Sequence, residues 1–135
     1  MVVKRGLERG ELDAYAVQSA VLRHEIEIIT VSAESLLDTP GEPRLHVGEQ
    51  HAIALARQQT ADWLLLDNLL ARTIAQQFGV RVKGSLGLVI EAHRQNVLNT
   101  AEVELIFQTL LSRGDIWISD ALIRRVQEEW RLTLD

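Results

Sequence analysis

The chain has 135 residues, of which 47% are hydrophobic, so it is long and apolar enough to build the core of one domain. Its net charge of −5 argues against a protein that coats nucleic acid, but it is compatible with an acidic site that uses a divalent cation. The absence of cysteine excludes disulfides and thiolate metal sites and fits a reducing cytoplasm. No apolar run approaches the roughly 18 residues of a membrane span, and no signal peptide is recognisable, so we expect a cytoplasmic protein without membrane contact.

The first part of the chain predicts two helices on either side of a strand. Apolar residues at helical spacing predict a helix over residues 11–23, and a β-branched run predicts a strand over residues 26–31. A short helix is predicted over residues 33–37. Pro40, Gly41 and Pro43 then form a loop, which is the expected flexible point.

The middle of the chain predicts two further strands, each followed by a helix. A helix over residues 47–59 precedes an apolar run at residues 63–66, which lacks alternation. Such a run predicts a parallel strand covered on both faces. Asp67 or Asn68 can cap the next helix, which ends at Gly79. A short strand at residues 80–82 leads into the turn Gly84-Ser85 and another helix.

The last third of the chain is predicted to be helical. Asn99 and Glu102 resemble a capping box for a helix that ends at Gly114, and Ser119 can cap a final helix. Three strands alternating with helices, followed by helices alone, predict an α/β fold with right-handed crossovers. We therefore expect a small parallel sheet of about three strands, flanked by helices, with a helical C-terminal third.

Two carboxylates are placed where parallel sheets bind ligands. Asp67 follows the strand at residues 63–66, and ligands lie beyond the carboxyl ends of such strands. Glu49 is in the first turn of the preceding helix and shares the inner face with Ala52, Ile53 and Ala56. Together they could hold Mg²⁺ or Mn²⁺, which would activate water and neutralise a phosphate. In the structural alternative, which spacing alone favours, Asp67 caps a helix and Glu49 interacts with a helix N-terminus.

Other polar residues carry weaker signals. His46 and His51 flank Glu49 but are expected on the surface, whereas His93 lies on an apolar stripe and is expected to be partly buried and hydrogen-bonded. The segment from Gly84 to Gly87 predicts a tight turn with a helix cap. Three cations near the predicted strand ends could contact an RNA backbone or belong to the solvated surface: Arg72, Arg81 and Lys83.

Three blocks of sequence, in this order and with short gaps, carry a family resemblance. They read GEQHAIALA at residues 48–56, ADWLLLDNLLAR at residues 61–72 and VKGSLG at residues 82–87. They resemble a little-characterised prokaryotic branch of the PIN-domain proteins, which is related to the toxin ribonucleases of toxin–antitoxin pairs. The resemblance covers most of the chain from about residue 11 onward.

The resemblance implies a metal-dependent ribonuclease site. PIN domains place three or four acidic residues around one or two divalent ions to cut RNA. On this resemblance Glu49 and Asp67 are the expected catalytic residues, and together with Asn68 they are the expected ligands of Mg²⁺ or Mn²⁺. Asn68 stands where this branch often has a second Asp, and it can coordinate through its carbonyl oxygen but brings no charge.

The chain also departs from the family pattern. A PIN domain opens with an apolar strand that ends in Asp, followed by a second strand and a helix that carries Glu. Here residues 2–6 look like the tail of that helix. We therefore expect residues 1–135 to form a single PIN-like domain without its N-terminal third, either from a late start codon or in a naturally shortened relative.

Two functions follow as expectations. The chain is either a PIN-like protein of ribonuclease ancestry that is weak or inactive by itself, or a non-catalytic module that binds a second copy or an antitoxin-like protein. A gap at the centre of the sheet would be closed by direct pairing of the remaining strands or by exchange between copies. The sequence therefore predicts a homodimer or a larger assembly.

Overall fold

The computed structural model describes residues 2–38 and 43–134, which divide into two compact units, Met1–Val31 and Ser32–Asp135. Pro43 of the predicted loop is among these residues. Pro40 and Gly41 lie outside the described residues.

The first unit contains two helices that pack against each other. Helix α1 spans Val2–Glu8 and helix α2 spans Leu12–Leu22, and Gly10 adopts a φ of 73° in the turn between them. That left-handed conformation favours glycine. Ala14 is buried, and a Cβ atom at Gly6 would lie 2.7 Å from the Ala14 Cβ. Glycine at position 6 therefore permits the close approach of the two helices.

The strand predicted over residues 26–31 is wrong. The chain there is irregular, and Ile28 is largely exposed. Strand preference reflects packing on a half-buried, pleated surface, and a strand needs a neighbour to satisfy its backbone groups. In the described residues the sheet contains two strands that pair with each other, so this β-branched run lacks a partner strand.

The second unit combines a short parallel sheet with six helices among its described residues. Leu64 pairs with Val82 and Leu65 pairs with Lys83 in the parallel register. The elements are α3 Ala33–Leu37, α4 Val47–Gln58, β1 Leu64–Leu65, α5 Leu69–Gln77, β2 Val82–Lys83, α6 Ser85–Arg94, α7 Thr100–Ser112 and α8 Asp120–Arg131. The predicted α/β fold with a helical C-terminal third is confirmed, with two strands among the described residues in place of the expected three or so.

The outer face of strand β1 is not covered as predicted. Leu64 is buried, but Leu65 is 56% exposed. Immediately before β1, the Trp63 ring lies 4.7 Å from the Arg81 guanidinium and 4.5 Å from the Lys83 ammonium. An unbroken apolar run therefore occupies two environments, a buried face and an exposed face where cation–π contacts hold the indole ring.

Two apolar clusters form the core of the second unit. One lies around α4, α5 and the sheet and contains Ile53, Ala71 and Ala75, while the other joins α6, α7 and α8 around Phe107 and Ile123. In the second cluster the indole N–H of Trp130 donates to His93 Nδ1 at 3.3 Å. His93 is also 3.3 Å from the Thr100 hydroxyl, which confirms the partly buried, hydrogen-bonded histidine.

The helix caps read from the sequence are present. The Asn99 carbonyl oxygen accepts from the Glu102 N–H at 3.0 Å, and the Glu102 carboxylate accepts from the Asn99 N–H at 2.8 Å. The Ser119 hydroxyl accepts from the Leu122 N–H at 3.3 Å. Across the described part of the chain, none of the helices has the length and apolar character needed to cross a membrane.

Candidate functional site

A cleft of about 1030 Å³ lies beyond the carboxyl ends of both strands. Residues that follow β1 and β2 form one side, and residues at the start of α8 form another. The polar, charged and aromatic side chains that line the cleft are His46, Glu49, Asp67, Asn68, Arg72, Lys83, Trp117, Ser119 and Arg125. The cleft is thus at the edge of the sheet where parallel strands present ligand-binding residues.

Asp67 is held by the first residue of α6. Its Oδ1 atom accepts from the Ser85 backbone N–H at 2.7 Å, and its Oδ2 atom accepts from the Ser85 hydroxyl at 2.5 Å. Gly84, the N-cap residue of α6, offers no side-chain acceptor. Asp67 therefore caps α6 from the segment that follows β1. Asn68 caps α5 instead, because its side-chain oxygen accepts from the Ala71 N–H at 3.0 Å.

Gly84 provides the space for this arrangement. A Cβ atom at position 84 would lie 2.9 Å from Asp67 Oδ1 and 3.6 Å from Arg72 Nη1. The backbone there is extended, with φ −89° and ψ 169°, so any residue could adopt it. The absence of a side chain at position 84 is what lets the carboxylate approach the start of α6.

Glu49 combines a capping role with a place in the cleft. Its Oε2 atom accepts from the His46 backbone N–H at 3.1 Å, and the side chain is partly buried. An ionised carboxylate has about four lone-pair sites, so hydrogen bonding leaves acceptor capacity on both Glu49 and Asp67. The structural alternative and the metal-site hypothesis are therefore compatible.

The donor set fits a loosely held hard cation. Mg²⁺ in proteins keeps several waters and takes one or two carboxylates together with substrate phosphates. Two carboxylates and one amide oxygen line the cleft. No group of three or more His, Cys, Asp or Glu side chains that could hold a metal occurs among residues 2–38 and 43–134. The described residues thus form no closed protein cage for a metal ion.

Three cations line the same cleft. Arg72 is partly buried. Its Nε atom is inaccessible to solvent and has no hydrogen-bond partner in the described part of the chain. Lys83 and Arg125 are the other two, so the cleft has three basic and two acidic side chains although the chain carries −5 overall. Of the cations proposed from sequence, Arg72 and Lys83 line the cleft, whereas Arg81 contacts Trp63 and the Asp62 carbonyl.

Sequence reasoning missed two cleft residues. Trp117 is 95% exposed at the cleft, and Arg125 lies in the second turn of α8. Both residues are far along the chain from the strand ends, so the positions of the strands could not predict that they line the cleft. An exposed tryptophan two residues before the capping Ser119 was the available signal for Trp117.

The fold and the cleft define an α/β protein that presents carboxylates and cations beyond the carboxyl ends of parallel strands. The model of the DUF3368 family, described as a PIN domain, matches residues 2–131. The chain therefore belongs to the PIN-domain family, which confirms the resemblance read from the three sequence blocks. No curated protein and no solved structure matches the chain. Membership indicates nuclease-like ancestry, and PIN domains generally use divalent metals.

Proposed function

We propose that the protein is of metal-dependent ribonuclease ancestry, of the kind found in toxin–antitoxin pairs, and that this chain by itself cleaves RNA weakly or not at all. Glu49, Asp67 and Asn68 are the proposed ligands of Mg²⁺ or Mn²⁺. The observation that carries the proposal is that all three line one cleft at the carboxyl end of β1. When bound, the ion would activate water and neutralise charge on an RNA phosphate.

The residues around the proposed ligands supply orientation. Ser85 contacts both oxygens of Asp67, which fixes the direction in which the remaining lone pairs point. The backbone N–H of His46 does the same for one oxygen of Glu49. Positioned ligands favour catalysis, but two carboxylates attract a divalent ion weakly, and this supports the proposal of low activity.

A cleavage assay tests the proposal. Purified protein is incubated with fluorogenic single-stranded RNA and Mn²⁺, beside Asp67→Ala as the control for contaminating ribonuclease. The proposal expects no more than slow cleavage above that control. Rapid Mn²⁺-dependent cleavage by the wild-type chain that Asp67→Ala abolishes would contradict the expectation of low activity while supporting the site.

Metal binding is measured separately because it does not require turnover. Titration calorimetry with Mn²⁺ should show weak binding that Glu49→Gln reduces. Gln can still accept the hydrogen bond from the His46 N–H, so this variant removes the charge and keeps the cap. Equal Mn²⁺ affinity of the wild-type chain and Glu49→Gln would show that Glu49 is not a ligand of the ion.

The exposed side of the sheet supports a second candidate function. We propose, as the alternative, a non-catalytic module that forms a homodimer or binds an antitoxin-like protein. Leu65 is exposed on β1, and within the described residues each strand pairs along one edge only. Unpaired edges with apolar side chains invite pairing. Light scattering after gel filtration should show a dimer that Leu65→Lys converts to monomer, and a wild-type monomer would refute the dimer.

A further inference from the structure

Arg72 has an unusual environment for a basic residue. Its Nε atom is the buried side-chain polar atom that lacks a hydrogen-bond partner among the described residues, and no ion pair of Arg72 occurs there either. A buried donor without an acceptor costs free energy, and partly buried charges are normally paired. Nε itself is inaccessible, so the guanidinium retains the capacity to bind an anion through its terminal nitrogens, which make no hydrogen bond or ion pair within the described residues.

The position of Arg72 strengthens this capacity. Its backbone lies one turn into α5, where its N–H donates to the Asn68 carbonyl at 2.9 Å. Its Nη1 atom lies beside Gly84, at the start of α6. Helix N-termini carry partial positive charge, so this is an unfavourable place for a lone cation. The Asp67 carboxylate also lies beside Gly84, but it accepts both hydrogen bonds from Ser85 and forms no ion pair with Arg72.

The other two cations of the cleft have contacts of their own. The Lys83 ammonium lies over the Trp63 ring, and Arg125 Nε is 3.9 Å from the Glu129 carboxylate. The Arg125–Glu129 pair is exposed and weak, and the Lys83 contact is with a ring and not with a carboxylate, so these cations can assist with a second anionic oxygen. A planar guanidinium binds phosphate through two parallel hydrogen bonds, which the Lys83 ammonium cannot do. Arg72 is the primary candidate because, unlike Arg125, it has no carboxylate partner among the described residues.

We propose that Arg72 binds the phosphate of a nucleotide in the cleft without a metal ion, and that Trp117 stacks on the attached base. The inference deepens the proposed function by naming how the cleft holds its substrate. Trp117 lines the same cleft and is 95% exposed, as expected of a platform that gains contacts only when a base is present. A volume of about 1030 Å³ has room for at least one nucleotide.

Metal-free binding tests the phosphate contact. The affinity for a 5′-phosphorylated single-stranded oligoribonucleotide, labelled at its 3′ end, is measured by fluorescence polarisation in EDTA. Arg72→Ala should weaken binding about tenfold or more, because a charge-assisted bidentate contact is lost. Arg72→Lys should fall between, since it keeps the charge and loses the fork. Arg124→Ala is the matched control: Arg124 lies on α8 next to Arg125 but does not line the cleft, and binding should change less than about twofold.

Three further measurements separate a specific contact from general charge or misfolding. The slope of log affinity against log salt should decrease by about one in Arg72→Ala. Thermal unfolding by circular dichroism checks that each variant is folded, and Arg125→Ala provides a second cleft variant with a smaller expected loss. Trp117→Ala should weaken binding about tenfold, while Trp117→Phe keeps a stacking ring and stays near wild type.

Competition identifies which part of the nucleotide is recognised. Adenosine monophosphate should displace the oligonucleotide at lower concentration than adenosine or inorganic phosphate. Adenosine competing as well as its monophosphate would overturn the phosphate contact, and inorganic phosphate competing equally well would overturn the stacking role of Trp117. The phosphate contact is likewise overturned if folded Arg72→Ala binds like Arg124→Ala, or if the wild-type protein binds none of these probes.

The outcome is distinguishable from that of the proposed metal site. Glu49→Gln removes a proposed metal ligand and leaves Arg72 and Trp117 in place. In EDTA it should bind the oligonucleotide at least as tightly as the wild-type chain, because a negative charge leaves the cleft, while its Mn²⁺ binding by calorimetry is weaker. Loss of metal-free binding in Glu49→Gln, with the fold intact, would contradict a metal-independent phosphate contact.

Discussion

Gly84→Ala directly perturbs the contact that orients Asp67. The new Cβ atom would lie 2.9 Å from Asp67 Oδ1, about 0.5 Å closer than ordinary van der Waals contact. The carboxylate must move away, and its hydrogen bonds to the Ser85 N–H at 2.7 Å and hydroxyl at 2.5 Å must lengthen. The perturbation therefore acts on the cap of α6 and on one proposed metal ligand together.

The expected effect on stability is modest because two terms oppose each other. Weakening two charge-assisted hydrogen bonds costs about 2 kcal/mol, less than their complete loss. Replacing glycine in an extended backbone stabilises by about 0.4–1 kcal/mol through the unfolded chain. The free energy of unfolding should fall by about 1 kcal/mol, which lowers the Tm by roughly 3–5 °C for a chain of this size. Urea denaturation followed by circular dichroism measures it.

Gly87→Ala is the matched control. It lies three residues after the N-cap Gly84, in the first turn of α6, and its Cβ would meet only Lys83 Cγ at 3.4 Å. Alanine in a helix interior should stabilise by about 0.5–1 kcal/mol. The two substitutions should thus have opposite signs. In an Asp67→Ala background the cost of Gly84→Ala should disappear, because the nearest remaining contacts are at 3.6 Å and beyond. Gly84→Ala as stable as Gly87→Ala, or equally costly in both backgrounds, would refute the steric reasoning.

Further predictions concern Asn68 and the pair formed by Glu104 and Arg131. Asn68→Ala removes the cap of α5 and should cost about 1 kcal/mol in urea denaturation, whereas Asn68→Ser should cost less. Asn68→Asp keeps a capping oxygen and adds a third carboxylate, so Mn²⁺ affinity by calorimetry should rise; an unchanged affinity would place the metal elsewhere. The hydrogen bond from Arg131 holds the pKa of Glu104 below its ordinary value of 4.5. The ionised Glu104 therefore stabilises the folded chain at neutral pH, and this contribution is lost as the pH falls below about 4.5. Arg131→Gln should therefore make Tm fall less steeply between pH 5 and about pH 3. The same fall in Tm in both proteins would show that the Glu104–Arg131 pair does not contribute to stability.

The sequence predicts most helices because their signals are local. The caps at Asn99 and Ser119 occupy their own helix starts, so residue spacing alone identifies them. The β-branched run at residues 26–31 fails for the opposite reason, because a strand depends on a partner that local pattern cannot supply. Leu65 likewise has the same apolar neighbours as Leu64 in sequence but faces outward, which only the packing of the sheet decides.

The candidate site is predictable where it follows the strands. Asp67 lines the cleft as the strand-end rule predicts, and Glu49 lines it from the first turn of α4. The alternative capping interpretation describes their hydrogen bonds. The two hydrogen bonds that Ser85 donates to Asp67 join residues 18 positions apart, so spacing could not reveal which helix Asp67 caps. Trp117 and Arg125 reach the cleft through the packing of α8, a tertiary relationship that the pattern of a single sequence does not encode.

The placement of the metal is tested most directly by nuclear magnetic resonance with Mn²⁺. Substoichiometric Mn²⁺ broadens the signals of nearby amides, and the isotope-labelled chain has backbone N–H groups at all three proposed ligands. We expect the amides of Glu49, Asp67 and Asn68 to broaden first, and Glu49→Gln to raise the Mn²⁺ concentration required. Broadening centred outside the cleft, or the same response in Glu49→Gln, would contradict this expectation.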